Sequence, residues 1–372
     1  MIGPFTIDTY LPSFPDIAAD FEIGLGAMAQ TLSVYLLAFA ASTLIWGPLS
    51  DALGRRRVAV TAMALYVAAS LGCAMTDSLS QMLLLRFAQG IAASGGIVIA
   101  RAVVRDVYDG HQARKAMAQV VMMFALAPAA APIIGGFLHD AFGWRAVFQF
   151  LALYGLVTMA LMLWRLPETL PAERRQSIHP RAVLGNYLTA LRHRQFIALV
   201  LTFCCFFGGL FLYILGSPAI IYDHLGLGAN SFAVQFVPMV AGVMAGAWLA
   251  GRLSARVAPH HMIRAALLFA VGVALLNLAM ARWLDPNPFT VVGPVLLYAF
   301  AVALSMPSLT VMALDCFPRN RGMASAVQAF VQMNLNALIA AVAVPLVSPS
   351  VLAFALCQGL LLMLAGLFWR LG

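Results

Sequence analysis

Two ionisable residues, Asp8 and Arg86, lie inside long apolar segments, where a charged side chain is costly. Arg86 is about six residues inside the end of its segment, which is about 9 Å at the helical rise of about 1.5 Å per residue. Asp8 precedes Asp16 by eight residues and therefore lies about 12 Å below the same surface. Burial favours a protonated carboxyl, whereas an arginine or a bound cation favours the carboxylate. The two residues could thus exchange protons or cations, or they could form a structural ion pair between two helices.

The composition requires lipid as the solvent for these segments. The 372 residues are 63% hydrophobic and 10% charged, whereas a soluble domain carries about 25% charged residues. Apolar runs of about 20 residues, enough for a transmembrane helix, recur between short polar breaks. Because the runs are continuous, they exclude a transmembrane β-barrel, whose strands alternate apolar and polar residues. We therefore predict an all-α membrane protein.

Twelve helices are predicted from the alternation of apolar runs with charged, Gly or Pro breaks. The polar interval 167–195 is expected to be a cytoplasmic linker between two six-helix bundles, 1–166 and 196–372. Gly47-Pro-Leu-Ser after the second helix is echoed by Gly251-Arg-Leu-Ser after the eighth, as expected for duplicated halves. The predicted helices lie near residues 1–18, 29–52, 57–76, 80–104, 116–138, 144–166, 196–222, 230–253, 260–282, 289–315, 321–346 and 350–370.

The basic residues predict the orientation of the helices. They concentrate in every second break, beginning with the Arg55–Arg57 run, while the break after the first helix holds only acidic charges. By the positive-inside rule these basic breaks face the cytoplasm, and both ends of the full-length chain are expected there. The net charge of +8 is thus explained by topology, and nucleic-acid binding is not expected.

Motifs typical of enzymes do not occur in the sequence. The five cysteines have neither metal-ligand nor disulfide spacing. There is no nucleotide-binding P-loop, zinc motif or nucleophile elbow. We therefore expect no enzyme activity, no metal and no cofactor.

The segment Gly47–Val58, GPLSDALGRRRV, resembles the signature of the loop between helices 2 and 3 in the major facilitator superfamily. Gly47 permits close helix contact and Gly54 a tight turn, while Asp51 can accept hydrogen bonds from arginine. In the family this cluster is a cytoplasmic gate with an acidic partner at the end of helix 4. The resemblance implies a gate made of Gly47, Asp51, Gly54, Arg55 and Asp106.

Three further segments resemble one branch of this superfamily, the proton-coupled drug exporters. TIDTYLPSFP, Thr6–Pro15, resembles the first-helix signature of bicyclomycin- and chloramphenicol-resistance exporters. LLLRFAQG, Leu83–Gly90, resembles the helix 4 motif whose arginine is implicated in proton transfer. The segment Ala127–Phe148 resembles the helix 5 antiporter signature, with Ala131 where glycine is usual, and PETL at Pro167–Leu170 also fits the family. The helix 5 motif residues are Pro132, Gly135 and Gly136, which could alternatively serve close helix packing.

The resemblance implies two six-helix bundles around a central cavity, and drug export by alternating access in the bacterial inner membrane. Asp8 and Arg86 would be the proton-coupling residues, and the proton gradient would be the energy source. The expected partners are a small amphipathic drug-like substrate, protons and membrane lipid, and we expect a monomer. Each cavity candidate could equally be a helix-packing residue. The candidates are Tyr10, Tyr35, Gln89, Gln119, Phe206, Tyr213 and Asn334, with Phe207, Gln235, Gln328, Gln332 and Asn336 as further polar or aromatic residues of the second half.

Two other functions remain open at the level of sequence. One is a facilitator-type uptake permease for a small metabolite, and the other is an inactive transporter. The inactive transporter is an alternative because Asp8 follows Met1 by only seven residues, whereas members of the family have about ten apolar residues before this motif. A helix needs about 20 residues to span the membrane. We expect the true start to lie upstream.

Overall fold

The structure, a computed structural model, describes residues 2–108, 127, 130–171, 173, 175, 180–254, 256–317 and 321–372. In these ranges all regular secondary structure is helical. Ten of the helices described there are long and apolar enough to cross a membrane. The chain divides into two compact units, Met1–Ala182 and Val183–Gly372.

The N-terminal unit is built on four long helices that pack side by side. α3 packs along α5, and α4 packs against both α5 and α7. Trp46, Val58, Ala59, Ala62 and Ile99 form a buried apolar cluster. The helices are α1 (Ile2–Asp8), α2 (Phe14–Asp20), α3 (Leu25–Leu53), α4 (Arg55–Ala74), α5 (Leu79–Val107), α6 (130–142) and α7 (Trp144–Arg165).

The first predicted helix, 1–18, is interrupted. α1 ends at Asp8, a 3-10 turn spans Leu11–Ser13, and α2 begins at Phe14. Pro12 and Pro15 lack the backbone N–H that a continuous helix would donate four residues back, and this explains the break. The break places Asp8 at a helix end, followed by non-helical backbone.

The C-terminal unit contains two π-helical segments. α12 packs against α10 and α11, and α9 packs against α12 and α15. The predicted helix 196–222 ends earlier, at Leu215, and a π-helix follows at Ala219–His224. A second π-helix, Ile339–Ala343, follows α13. The helices are α8 (Pro180–Arg192), which crosses the boundary between the units, α9 (Arg194–Leu215), α10 (Phe232–Leu253), α11 (Pro259–Trp283), α12 (Pro288–Asp315), α13 (Arg321–Leu338), α14 (Val344–Val347) and α15 (Val351–Leu371).

The helix surfaces fit a lipid environment. Large apolar side chains such as Leu84, Phe137, Met244 and Leu268 are exposed, which a water-soluble monomer rarely tolerates over so many positions. Near one end of α7, Arg165 lies 3.9 Å from the centre of the Trp164 ring. Such aromatic and basic pairs are typical of the boundary between lipid and water.

Candidate functional site

Arg86 is enclosed in the interior of the N-terminal unit. Its side chain on α5 is 0% exposed. The guanidinium carbon lies 4.6 Å from the centre of the Tyr10 ring and 4.5 Å from that of Tyr35. The cation is therefore sandwiched between two aromatic faces, an arrangement that is favourable when water is excluded.

A short chain of hydrogen bonds extends from Arg86 to α4. Arg86 Nη1 donates to Gln89 Oε1 at 2.6 Å. Gln89 Nε2 in turn donates to Ser70 Oγ at 2.8 Å. The other two guanidinium nitrogens, Nε and Nη2, are buried and have no hydrogen-bond partner among the residues that the structure describes. Arg86 therefore keeps donor capacity that could serve another group.

The two tyrosines around Arg86 are held by hydrogen bonds to residues of α1 and α3. The Tyr10 hydroxyl is hydrogen-bonded to Thr31 Oγ1 at 2.6 Å. The Tyr35 hydroxyl donates to the Gly3 carbonyl oxygen at 3.3 Å. Thus α1, α3 and α5, together with the turn after Asp8, converge on one buried cation.

Asp8 belongs to the same unit as this group but forms no ion pair with Arg86. Its side chain is 3% exposed, and α1 packs against α5. Tyr35 lies within electrostatic range of both Asp8 and Arg86. Among the ion pairs between described residues, none involves Asp8. The direct ion pair that the sequence left open as an alternative is therefore not formed in this structure.

The predicted helix 5 motif approaches the chain immediately after Asp8. A Cβ atom on Gly135 would collide with the carbonyl oxygen of Thr9, so only glycine allows this approach of α6. Pro132 and Gly136 are buried in the same helix. The motif thus packs against the break between α1 and α2.

The predicted gate residues meet where α3, α4 and α5 end or begin. Arg55 Nη1 lies 2.6 Å from Asp51 Oδ1, and Arg55 Nε donates to Asp106 Oδ2 at 2.9 Å. Arg55 Nη1 also donates to Ser50 Oγ at 2.6 Å, and this hydroxyl donates to the Gly47 carbonyl oxygen at 2.9 Å. The structure therefore brings all of these residues together around one buried guanidinium.

Glu168, which the sequence analysis did not assign to the site, completes this cluster. Its Oε1 accepts the backbone N–H of Arg55 at 2.8 Å and that of Leu170 at 3.1 Å. Gly54 precedes α4 with φ of 97° and ψ of 147°, a conformation almost restricted to glycine. The PETL segment that contains Glu168 was the available signal, but nothing local indicated its partner.

The end of this unit remote from Arg55 has a more exposed cluster. Trp144 Nε1 donates to Asp20 Oδ2 at 2.7 Å. Arg145 lies 3.2 Å from Asp20 and 3.1 Å from Asp77. These contacts connect α2, the α4–α5 turn and the start of α7.

The remaining cavity candidates belong to the C-terminal unit or fall outside the described residues. Gln119 lies outside the described residues. Phe206 is buried against Tyr298, with ring centroids 5.4 Å apart. The Asn334 side chain donates to the Phe330 carbonyl oxygen of its own helix at 2.8 Å. Whether these residues line a substrate cavity stays a prediction.

Tyr213 belongs to a buried polar network that the sequence analysis did not recognise. Asn277 Nδ2 donates to the Tyr213 hydroxyl at 2.7 Å and to Gln358 Oε1 at 2.8 Å. Gln235 Nε2 donates to the Tyr213 carbonyl oxygen at 2.7 Å. Asn277 and Gln358 stand alone within apolar runs, which was the only signal for them. In the described part of the chain, no group of three or more His, Cys, Asp or Glu is placed to hold a metal ion.

Known proteins resemble this chain over most of its length. The model of the Major Facilitator Superfamily matches residues 1–341. A Bacillus subtilis (strain 168) protein, described as an uncharacterized MFS-type transporter, YdgK, is 30% identical over 341 residues, or 91% of this chain and 85% of that protein. A bicyclomycin resistance protein homolog of Haemophilus influenzae is 28% identical over 302 residues, or 77% of this chain and 76% of that protein.

A solved structure supports the same fold. The crystal structure of a D-xylose–proton symporter aligns over 97% of this chain and 94% of its own, with a TM-score of 0.72 and 15% identity. At this identity the similarity concerns the fold alone. The family resemblance and the fold class predicted from sequence are thus confirmed. The chain belongs to the Major Facilitator Superfamily and is an all-α, multi-pass membrane protein with the major facilitator fold.

Proposed function

We propose that this protein exports drug-like compounds across the bacterial inner membrane in exchange for protons, by alternating access. The export of drugs is supported by the name of the Haemophilus influenzae relative, a bicyclomycin resistance protein homolog. It is also supported by the first-helix motif that contains Asp8. The coupling to protons rests on the site in the N-terminal unit.

The observation that carries the proposal is the state of Asp8. This carboxyl is buried in the same unit as the buried Arg86 and forms no ion pair with any described residue. A carboxyl locked in a bidentate arginine pair would release and accept protons with difficulty. An unpaired carboxyl near a fixed cation can change its protonation state when a substrate arrives or leaves.

Arg86 would tune this exchange without moving. The stacking of its guanidinium between Tyr10 and Tyr35 holds the positive charge in place. A fixed cation favours the carboxylate form of Asp8, and burial favours the protonated form. We propose that this balance lets Asp8 take up a proton in one conformation of the transport cycle and release it in another.

The Arg55 cluster would stabilise one end of the unit during this cycle. Arg55 joins Asp51 on α3 to Asp106 on α5, and Glu168 holds the start of α4. We propose that these contacts form the predicted cytoplasmic gate. Opening would then require the separation of charge pairs that are partly shielded from water.

The proposal is tested by substrate-driven proton movement in proteoliposomes that contain the protein and a pH-sensitive dye. Bicyclomycin is the probe. Asp8→Asn should abolish the proton movement, Asp8→Glu should retain part of it, and the exposed Asp16→Asn should leave it unchanged. Normal coupling in Asp8→Asn would remove Asp8 from the mechanism.

The direction of transport needs a separate measurement. In inside-out membrane vesicles an exporter accumulates bicyclomycin when a proton gradient is imposed. An uptake permease accumulates its substrate in right-side-out vesicles instead. Accumulation only in the latter would replace export by uptake.

A further inference from the structure

Three carboxamide side chains lie along one face of α13. Gln328, Gln332 and Asn336 are spaced four residues apart, so they fall one above the other on the helix. We call these three residues the carboxamide face. α13 belongs to the candidate membrane span Met323–Val347. Asn336 is thirteen residues from the start of this span and eleven from its end, close to the middle of the span.

Asn336 has hydrogen-bonding groups that no described residue uses. Its side chain is 1% exposed, and in the described part of the chain neither Nδ2 nor Oδ1 has a hydrogen-bond partner. Gln328 is also buried. Its Nε2 donates to Thr310 Oγ1 at 3.4 Å, while its Oε1 has no partner. The carboxamide face therefore offers one donor group and two acceptor atoms that are unsatisfied.

Such groups are costly in a membrane protein. A buried polar atom without a partner loses its hydrogen bonds to water and gains none in exchange. The cost is high at the depth of a membrane, where backbone and side-chain polar groups must be satisfied inside the protein. Unsatisfied groups of this kind point to a role for another molecule.

Asn334 shows that α13 can satisfy an asparagine when no ligand is involved. Its Nδ2 donates to the carbonyl oxygen of Phe330 on the same helix at 2.8 Å. Asn334 lies two residues from Asn336 and therefore points away from the carboxamide face. The sequence made both Asn334 and Asn336 cavity candidates, and the unsatisfied groups favour Asn336.

The backbone next to Asn336 is also unusual. The π-helix Ile339–Ala343 begins three residues after Asn336. π-helical segments are rare, and they are frequently found at functional sites. This observation is independent of the hydrogen-bond count and concerns the same part of the span.

The chemical class of the ligand follows from what the span lacks. No Asp, Glu, Lys or Arg occurs between Met323 and Val347. A charged group would therefore find no opposite charge on this helix. A carboxamide both donates and accepts hydrogen bonds, so it suits hydroxyl and amide groups.

We infer that the carboxamide face is a substrate subsite for uncharged hydroxyl or amide groups, with Asn336 as its central residue. This inference rests on the proposed function, because it assigns part of the transported compound to the C-terminal unit.

Thermal unfolding of the purified full chain tests the inference, with bicyclomycin as the probe because it is uncharged and rich in hydroxyl and amide groups. A compound that binds only the folded state raises the Tm according to its Kd. Asn336→Leu should weaken the affinity about tenfold, the loss expected for one hydrogen bond. Asn334→Leu is the matched control and should retain the wild-type affinity.

The Tm without bicyclomycin separates a binding role from a structural one. Asn336→Leu removes unsatisfied atoms, so the Tm of the free protein should be unchanged or higher. A clearly lower Tm for the free Asn336→Leu protein would mean that the asparagine is structural, and would overturn the inference. The inference would also be overturned if bicyclomycin did not raise the Tm of the wild type, or if it raised the Tm of wild type and Asn336→Leu equally.

Asp8→Asn distinguishes this inference from the proposed function. Binding of an uncharged group on α13 does not need the Asp8 carboxylate, so this variant should keep its shift with bicyclomycin. Loss of proton coupling concerns the proposed function alone. Loss of the shift in Asp8→Asn, with a normal shift in Asn336→Leu, would overturn the subsite.

Discussion

The Glu168 carboxylate accepts the backbone N–H of Arg55 at 2.8 Å, although the two residues are 113 positions apart in the sequence. Arg55 is the first residue of α4, so the contact satisfies one of the free N–H groups at the start of this helix. A negative charge at this position also interacts favourably with the helix dipole. The Arg55 side chain in turn binds Asp51 and Asp106. Backbone and side chain of Arg55 are thus held by different acidic residues.

Replacement of Glu168 should destabilise the N-terminal unit. Loss of a capping side chain costs about 1 kcal/mol, and Glu168→Ala should lower the Tm in detergent accordingly. Glu168→Gln keeps an acceptor oxygen but loses the charge, so its Tm should lie between those of the wild type and Glu168→Ala. Glu173→Gln, an exposed glutamate of the same segment, is the control. Equal Tm values for Glu168→Ala and the control would mean that Glu168 does not stabilise the start of α4.

Gly54 should not tolerate a side chain. Its φ of 97° is strained for any other residue, and a Cβ there would collide with the Glu168 carboxylate. Gly54→Ala should cost about 2 kcal/mol, within the range for strained backbone. Gly251→Ala is the matched control in the related motif of the second half, because no atom lies within 4 Å of its Cβ position. The measurement is Tm of both variants, and a similar loss in each would contradict the argument.

The Tyr35 ring, more than its hydroxyl, should stabilise Arg86. Tyr35→Phe keeps the stacked ring and loses one long hydrogen bond, so we expect a small change in Tm. Tyr35→Leu removes the aromatic face and should cost about 1–2 kcal/mol more. A double-mutant cycle with Arg86→Met isolates the contact. The difference in Tm between Tyr35→Phe and Tyr35→Leu should be smaller in the Arg86→Met background. An unchanged difference would mean that Tyr35 contributes by packing alone.

Arg55 and Arg145 should differ in their contribution although each contacts two carboxylates. The Arg55 side chain is 8% exposed and that of Arg145 is 43% exposed. Arg55→Gln leaves carboxylates without their cation in a shielded cluster and should cost about 3 kcal/mol. Arg145→Gln should cost less than about 1 kcal/mol, because exposed ion pairs contribute little.

The salt dependence of the Tm is a second measurement on the Arg55→Gln and Arg145→Gln variants. At about 1 M salt the screening length is about 3 Å, so the effect of Arg145→Gln on Tm should largely disappear. The effect of Arg55→Gln should largely persist, because the Arg55 guanidinium and its partner Asp106 are shielded from solvent. If salt changed the effects of Arg55→Gln and Arg145→Gln on Tm equally, the explanation by burial would be wrong.

Much of this protein was determined by local features of its sequence. Apolar runs of sufficient length require a membrane, and the breaks between them mark most helix boundaries. The motifs around Asp8, Arg86 and Gly54 indicated the family. Tyr10, Tyr35 and Gln89, chosen as cavity candidates from the sequence, all contact Arg86. Whether these three residues line a substrate cavity stays a prediction. The membrane class and the family were predictable because hydropathy and turn residues act within a few positions of the chain.

The partners of the polar groups were decided only by the tertiary structure. The cap of Glu168 on Arg55 and the stack of two tyrosines on Arg86 join segments that are distant in sequence. The contrast between Asn334, satisfied by its own helix, and Asn336, with no partner, depends on what surrounds each side chain. Hydrophobicity is a property of the residue, whereas hydrogen-bond satisfaction is a property of its surroundings in three dimensions. For that reason the sequence indicated which residues are buried, and the packing of the helices decided which of them remain free to bind.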